Sequence, residues 1–251
     1  MARQKGVIKL EGRIGDLSFY KNGGEYYARE KGGVDGDRIK SDPAYARTRE
    51  NGAEFGRAGK ASKLMRSAFK VPISKSADKR VASRLATEML KVIQADTTNL
   101  RGQRIVSAGD VSLLDGFEFN AAVGLEAVVG LQYNVTFDRV GGIGSVAFGA
   151  FVPSLEIAEV EGATHFRFVI ATAGINFDNE TYEVNVDQST HIPYTSESQG
   201  AVLMEADISE NSTLPVFMLF GVEYYQSVNG QMYPLNNKES NPLALVLVDT
   251  P

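Results

Sequence analysis

The segment THFRFVIATA, residues 164–173, opens with an alternation of period two. Phe166, Phe168 and Ile170 fall on one side, and His165 and Arg167 on the other. That period belongs to a β-strand with one face on a core. Working outward, the same texture recurs in GFEFNAAV (116–123), YNVTFDRV (133–140), GSVAFGAF (144–151), TYEVNV (181–186), AVLMEADI (201–208), LPVFMLFGVEYYQSV (214–228) and QMYPL (231–235). Gly, Asn, Pro and Asp separate these runs, which is the spacing of an antiparallel β-sandwich. Val228-Asn229-Gly230-Gln231 carries the residue pair of a two-residue type I′ turn. The run LALVLV (243–248) is apolar at every position and asks for cover on both faces. It reads as a central strand of its own sheet or as one that meets a neighbouring subunit.

Upstream of residue 111 the period becomes helical. In DKRVASRLATEMLKVIQADT (78–97), Val81, Leu85, Met89, Val92 and Ile93 form one stripe. Ala61, Leu64, Met65, Ala68 and Phe69 form a matching stripe on a preceding helix over about 43–69, and an αα-hairpin with Pro72 in its connection follows. Asp42-Pro43 supplies a cap acceptor and a first-turn proline. The interior glycines Gly52, Gly56 and Gly59 leave two readings open: one helix that approaches a neighbour closely, or a break near Asn51-Gly52. Ahead of the helices, VIKLEG (7–12), LSFYK (17–21) and EYYARE (25–30) are β-prone runs around an Asn-Gly-Gly turn. The expected fold class is therefore α+β: an N-terminal β-hairpin arm (1–41), a basic helical region with the αα-hairpin (42–110), and an acidic antiparallel β-sandwich (111–251).

Charge follows this division. Residues 1–110 hold 23 Lys and Arg against 13 Asp and Glu, a balance of +10, and the remaining 3 basic and 18 acidic residues leave −15. Such asymmetry points to an acidic partner or to nucleic acid, and the chain has an acidic half of its own. The plainer alternative is that Lys and Arg follow the helices. Cys is absent, which excludes disulfides, thiolate metal sites and cysteine nucleophiles. No apolar run has the length of a secretory core or a membrane span, so the expectation is cytoplasmic synthesis without a signal peptide and no membrane partner. Any later place in an extracellular or particle assembly needs a signal-independent route.

Groups for catalysis are scarce. His165 and His191 are the two histidines, and no Gly-x-Ser-x-Gly elbow or His-Glu-x-x-His pattern accompanies them. Each reads as structural or exposed. Gly142-Ile143-Gly144-Ser145-Val146-Ala147 fits a relaxed dinucleotide pattern, yet VAFGAFVPSL is not the helix that would hold a pyrophosphate, so a glycine-rich β-turn is expected. Asp178, Glu180 and Glu183 lack calcium-loop spacing and read as an acidic loop. No catalytic residue, metal, cofactor or small-molecule substrate is expected.

GDLSFYK (15–21), AREKGGVDGDRIKSDPAYARTRENGAEFGRAGKASKLMR (28–66) and the helix after them resemble a family of small proteins from Bacteroidota genomes. The likeness spans roughly the first 100 residues. The resemblance implies a bacterial origin, and it supplies neither an established activity nor catalytic residues to carry over.

Two functional readings come before a third, an enzyme or small-ligand binder in the sandwich, which a bound metal or ligand in purified protein would bring forward. In the first, the chain assembles with copies of itself, as a filament, tube, sheath or particle subunit of cellular or phage origin. The contact residues expected are Arg13, Phe19, Tyr20, Lys21, Tyr26, Tyr27 and Arg29, set against an acidic face of the next copy. In the second, Arg47, Arg49, Arg57, Lys60, Lys63 and Arg66 grip nucleic-acid phosphates.

Overall fold

A computed structural model describes residues 2–30, 32–76, 78–235 and 238–251, with the side chain of Lys238 excepted. Contacts divide the chain into two compact units, 1–49 and 50–251.

The first unit carries strands β1 (Ala2–Arg3), β2 (Gly12–Ile14), β3 (Leu17–Asn22) and β4 (Glu25–Glu30), in the antiparallel order β1-β4-β3-β2. Gly23 and Gly24, with φ of 58° and 85°, make the two-residue turn between β3 and β4. Pairing starts only at Gly12, so the expected strand over 7–12 is not formed. The Gln4 side chain explains this: it accepts from Leu10 N–H (2.9 Å), donates to Leu10 C=O (3.2 Å), and turns Lys5–Glu11 into a loop. Helix α1 (Gly36–Ser41) follows, then a 3-10 turn at Pro43–Tyr45, where Asp42 Oδ1 accepts from Ala44 N–H at 2.9 Å. Among the described residues of 2–49 no side chain is buried.

The helices of the second unit are α2 (Ala46–Ala68, counted from its start), α3 (Lys70–Ser76) and α4 (Val81–Gln94). Its strands are β5 (Tyr133–Asp138), β6 (Ile143–Phe148), β7 (His165–Asn176), β8 (Thr181–Gln188), β9 (Ile192–Pro193), β10 (Val202–Asp207), β11 (Val216–Val228), β12 (Gln231–Pro234) and β13 (Leu243–Asp249). β11 is the hub of a six-stranded antiparallel sheet. It pairs with β7 along one edge and with β13 and β12 along the other, while β7 continues to β8 and β9. β10, β6 and β5 form a separate three-stranded sheet.

The two faces of the large sheet feed two apolar clusters. Val169, Ala171, Phe217, Leu219, Leu243 and Leu245 meet Met65, Phe69, Leu85, Met89 and Ile93 of the helices. Phe166, Phe168, Ile170, Met218 and Phe220 meet Val146, Phe148, Met204 and Ala206 of the small sheet. Cover on both faces is why β7 and β11 are buried at consecutive positions, where a one-sided strand would alternate. Phe168 anchors the second cluster, with ring centroids 4.6 Å from Phe148, 5.4 Å from Phe166 and 5.6 Å from Phe220. Because helices and strands share the first cluster, no boundary falls near residue 110; the sequence reading separated 42–110 from 111–251, whereas the one division lies at Arg49/Glu50.

One helical detail departs from the sequence reading, and one choice it left open is decided. The connection holding Pro72 is itself helical, because Pro72 sits in the first turn of α3, where its missing N–H costs no bond. α2 is one unbroken helix, and a Cβ added at Gly52, Gly56 or Gly59 meets nothing within 4 Å. These glycines therefore serve no close approach within the chain. Gly56→Ala is expected to raise the stability of the isolated chain by about 1 kcal/mol through helix propensity, read as a higher urea midpoint.

Gly142 and Gly144 have a physical reason unrelated to nucleotides. Gly142 holds φ 72°, with a Cβ only 2.3 Å from Ile208 O, and a Cβ at Gly144 would lie 2.2 Å from Thr172 Oγ1. The residues that follow are strand β6, so no helix N-terminus is presented.

Candidate functional site

Register sorts the residues of the N-terminal sheet onto two faces, since partners directly opposite share a side. Ser18 pairs with Arg29 and Arg13, and Tyr20 with Tyr27, which also pairs with Arg3. One face thus displays Arg3, Arg13 and Arg29 around Tyr20 and Tyr27. Those two rings stack at 5.9 Å, and the Arg29 guanidinium lies 5.5 Å from the Tyr20 ring. Arg3 is ion-paired with Glu25. The other face carries Ile14, Leu17, Phe19, Ala28, Lys21 and Tyr26, with the Lys21 ammonium 5.4 Å from the Tyr26 ring. The seven residues expected to act as one contact are therefore split, with Arg13, Tyr20, Tyr27 and Arg29 on one side and Phe19, Lys21 and Tyr26 on the other.

The six residues of the phosphate reading are employed unequally. Arg49 donates to Ile39 C=O (2.7 Å) and Asp42 C=O (2.9 Å), and Arg57 to Gly102 C=O (2.8 Å) and Arg104 C=O (3.0 Å). Both hold backbone. Lys60 lies 3.8 Å from Glu180. Lys63 is exposed, and neither it nor half-buried Arg66 has a carboxylate partner among the described residues. Arg47 is exposed and makes contacts of its own.

After residue 110 two of the three cations, Arg139 and Arg167, are consumed internally. Arg139 donates to Ser212 C=O (2.6 Å) and Leu214 C=O (3.1 Å) and pairs with Asp249. Arg167 pairs with Glu223. The acidic residues at the surface of this region are left largely without cations from its own strands. Asp178 accepts from Ser107 (2.7 Å) and Glu183 from Ser209 (2.6 Å), so the carboxylates of 178–183 serve separate local bonds. Among the described residues no group of three or more His, Asp or Glu gathers around a common point, and no helix is long and apolar enough to cross a membrane.

Sequence reasoning missed the buried polar cluster at the end of the large sheet. Glu223 on β11 is 1% exposed, and its Oε2 accepts from Arg167 Nε (2.9 Å), Arg167 Nη2 (2.7 Å) and Tyr225 OH (2.6 Å), with Lys75 Nζ of α3 at 3.4 Å. Glu223 and Arg167 are direct cross-strand partners, so β-register places the pair. Burial, then the bond to Glu223, raises the Tyr225 phenol above its usual range. The His191 ring packs edge-on against Tyr225 at 4.4 Å, and burial, then the Arg167 charge, lowers its pKa. Glu223 Oε2, Arg167 and Tyr225 give each other fixed partners, the chemistry of a structural tie between sheet and helix, while Glu223 Oε1 and His191 Nε2 are enclosed without a hydrogen-bond partner among the described residues.

A second tie follows α4. Asp96, 1% exposed, accepts five hydrogen bonds of 2.8–3.0 Å: from Thr98 N–H and Oγ1, Asn99 N–H and Nδ2, and Ile105 N–H. Burial pushes its carboxyl up, but the bonds outweigh burial and hold it well below the usual carboxylate range. A pKa depressed by folding stabilises fully above the unfolded-state value, about 4, and that contribution is lost as the pH falls toward the folded-state value. Asp96→Asn is therefore expected to lower the thermal midpoint at neutral pH, with the gap to the parent chain narrowing below about pH 4.

No family model, no curated protein and no solved structure matches the chain.

Proposed function

We propose that the chain is a self-assembling structural subunit, built head to tail by its basic N-terminal region meeting the acidic β-sandwich of the next copy. One observation carries the reading. The described residues of 2–49 hold a four-stranded sheet with Phe19, Tyr20, Tyr26 and Tyr27, and none of these residues is buried. A segment this small rarely stabilises itself without a core, a disulfide or a metal, and the chain has no cysteine. Cover from a second copy supplies the missing burial.

Charge supports the orientation. The cationic tyrosine face of the sheet and the uncompensated carboxylates beyond residue 110 attract one another, and a contact between unlike surfaces that does not close into a ring propagates as an open polymer. Lys63 and Arg66 keep the nucleic-acid reading as the alternative.

Negative-stain electron microscopy of nuclease-treated protein at low and high salt tests the proposal. Regular filaments, tubes or shells without nucleic acid, weakened by salt, are the expected result. Uniform small particles in both buffers would overturn it. Particles that form only when nucleic acid is restored would favour the phosphate reading.

A further inference from the structure

The loop Lys5–Glu11 in the N-terminal sheet places apolar side chains at its tip. Val7 and Ile8 are 103% and 79% exposed, and Lys5 and Lys9 flank them, with the Lys9 ammonium donating to Gln4 C=O within the loop. The Gln4 amide closes the base of the loop on Leu10, so the tip is a formed feature. Two β-favouring side chains in full contact with water do nothing for the folded chain, and burying apolar side chains of this size is a main source of affinity between proteins.

In the second unit, a cleft of about 610 Å³ opens beside β5 and β13. Tyr133, Leu245 and Val246 supply its apolar lining, and Asp115, Glu118 and Glu126 its charge; no Lys or Arg among the described residues lines it. Two features mark it as incomplete. The backbone of 116–119 pairs with β13 only at Leu243 and Leu245, through Phe119 N–H to Leu243 C=O (2.7 Å), Gly116 N–H to Leu245 C=O (2.9 Å) and Leu245 N–H to Phe117 C=O (2.9 Å). Among the described residues that edge of β13 has no backbone partner beyond Leu245. Glu118 supplies the second feature. Its Oε1 accepts from Leu125 N–H at 2.9 Å, while its Oε2 is enclosed with no partner among the described residues. Burial is the first cause that raises the Glu118 pKa and the Glu126 charge adds to it, against the Leu125 hydrogen bond and the Arg84 charge, which lower it. The Arg84 guanidinium lies nearby and donates to Glu118 C=O (2.7 Å), Phe119 C=O (3.1 Å) and Asp78 (2.5 Å), while its Nε is enclosed without a partner among the described residues.

We infer that the Val7-Ile8 tip of one copy docks in the β5/β13 cleft of another, with Lys5 and Lys9 against Asp115, Glu118 and Glu126. The occupant is a second copy of this chain because tip and cleft match in both respects: an apolar pair between two lysines, and an apolar strand edge among three carboxylates. This inference rests on the self-assembly reading and names the acceptor within it.

The absence of native cysteine makes a direct test available. A tagged Val7→Cys chain is mixed with an untagged Val246→Cys chain, both full length, under mild oxidation, and mixed disulfide dimers are read on a non-reducing gel. A Leu203→Cys chain serves as control, since Leu203 is 63% exposed on β10, outside the cleft. The expected result is a mixed dimer with the Val246→Cys chain and none with the Leu203→Cys chain, lost when Lys5→Glu and Lys9→Glu are added to the donor. Assemblies in the microscope without coupling between positions 7 and 246, or with equal coupling to position 203, would overturn the docking while leaving self-assembly in place. No assemblies and no coupling would remove both. A dilute Val7→Cys/Val246→Cys double variant that closes within one chain would also overturn the docking, by making the contact intramolecular.

Discussion

Deletion of residues 1–33 is expected to leave a folded chain that no longer assembles. Circular dichroism and a cooperative thermal transition should be retained, because every buried side chain among the described residues belongs to 50–251. Assembly should vanish, since the deletion removes β1 to β4 with both faces of the sheet. Electron microscopy and light scattering read the second outcome. A deletion variant that still polymerised would place the contact elsewhere. The faces can then be separated by substitution: Tyr20→Ala with Tyr27→Ala strips the cationic face of its rings, and Phe19→Ala with Leu17→Ala strips the apolar one. Whichever pair abolishes assembly identifies the contacting side.

The second large effect concerns Glu223. Its removal leaves Arg167, whose side chain is 14% exposed, without its carboxylate, and leaves Tyr225 OH without its acceptor. Breaking one partner out of a buried pair costs about 3–5 kcal/mol, because the remaining charge stays desolvated. Against a typical total of roughly 5–15 kcal/mol, Glu223→Ala should shift the urea midpoint to a fraction of its original value. Lys75 is more exposed, at 38%, and Lys75→Ala should cost much less. If Glu223→Ala moved the midpoint no further than Lys75→Ala, the Arg167–Glu223 pair would not be the tie described. The double variant Arg167→Met/Glu223→Leu should recover part of the loss, as apolar replacement of a whole buried pair often does.

How much of this was legible beforehand varies with the distance over which each feature is encoded. The α4 stripe was readable because five apolar residues repeat at helical spacing within one segment, and Val81, Leu85, Met89, Val92 and Ile93 are all buried. The β11–β12 turn was readable for the same local reason: Asn229 and Gly230 hold φ of 51° and 79°. The continuity of α2 was not, since propensity weighs against Gly52, Gly56 and Gly59, and packing of Ala58, Ala61, Met65 and Ala68 prevails. The loop at 5–11 was missed because a β-prone run is overruled by one side chain, Gln4.

The polar cluster was illegible for a different reason. Lys75 and Glu223 are separated by 148 residues and Arg167 and Glu223 by 56, and no local pattern announces such a meeting. Strand register is encoded locally. A two-residue turn at Gly23-Gly24 fixes the register of β3 on β4, and parity then separates Phe19 and Lys21 from Ser18 and Tyr20 before any coordinates are known.

The position of β11 as hub also bears on the order in which the chain acquires its structure. β11 pairs with β7 across the whole span of β8 to β10 and with β13 across β12, and β13 in turn is bonded to 116–119. Contacts of this separation must overcome loop-closure entropy before they return any stabilisation, which places such topologies among the slower folders. The helices α2 to α4 can flicker into existence early, but the apolar face they share has no floor until β7, β11 and β13 are side by side. Refolding monitored by amide protection should therefore show the helices and the central strands becoming protected in one phase, and lesions in β11 should slow that phase more than lesions of equal cost in α4.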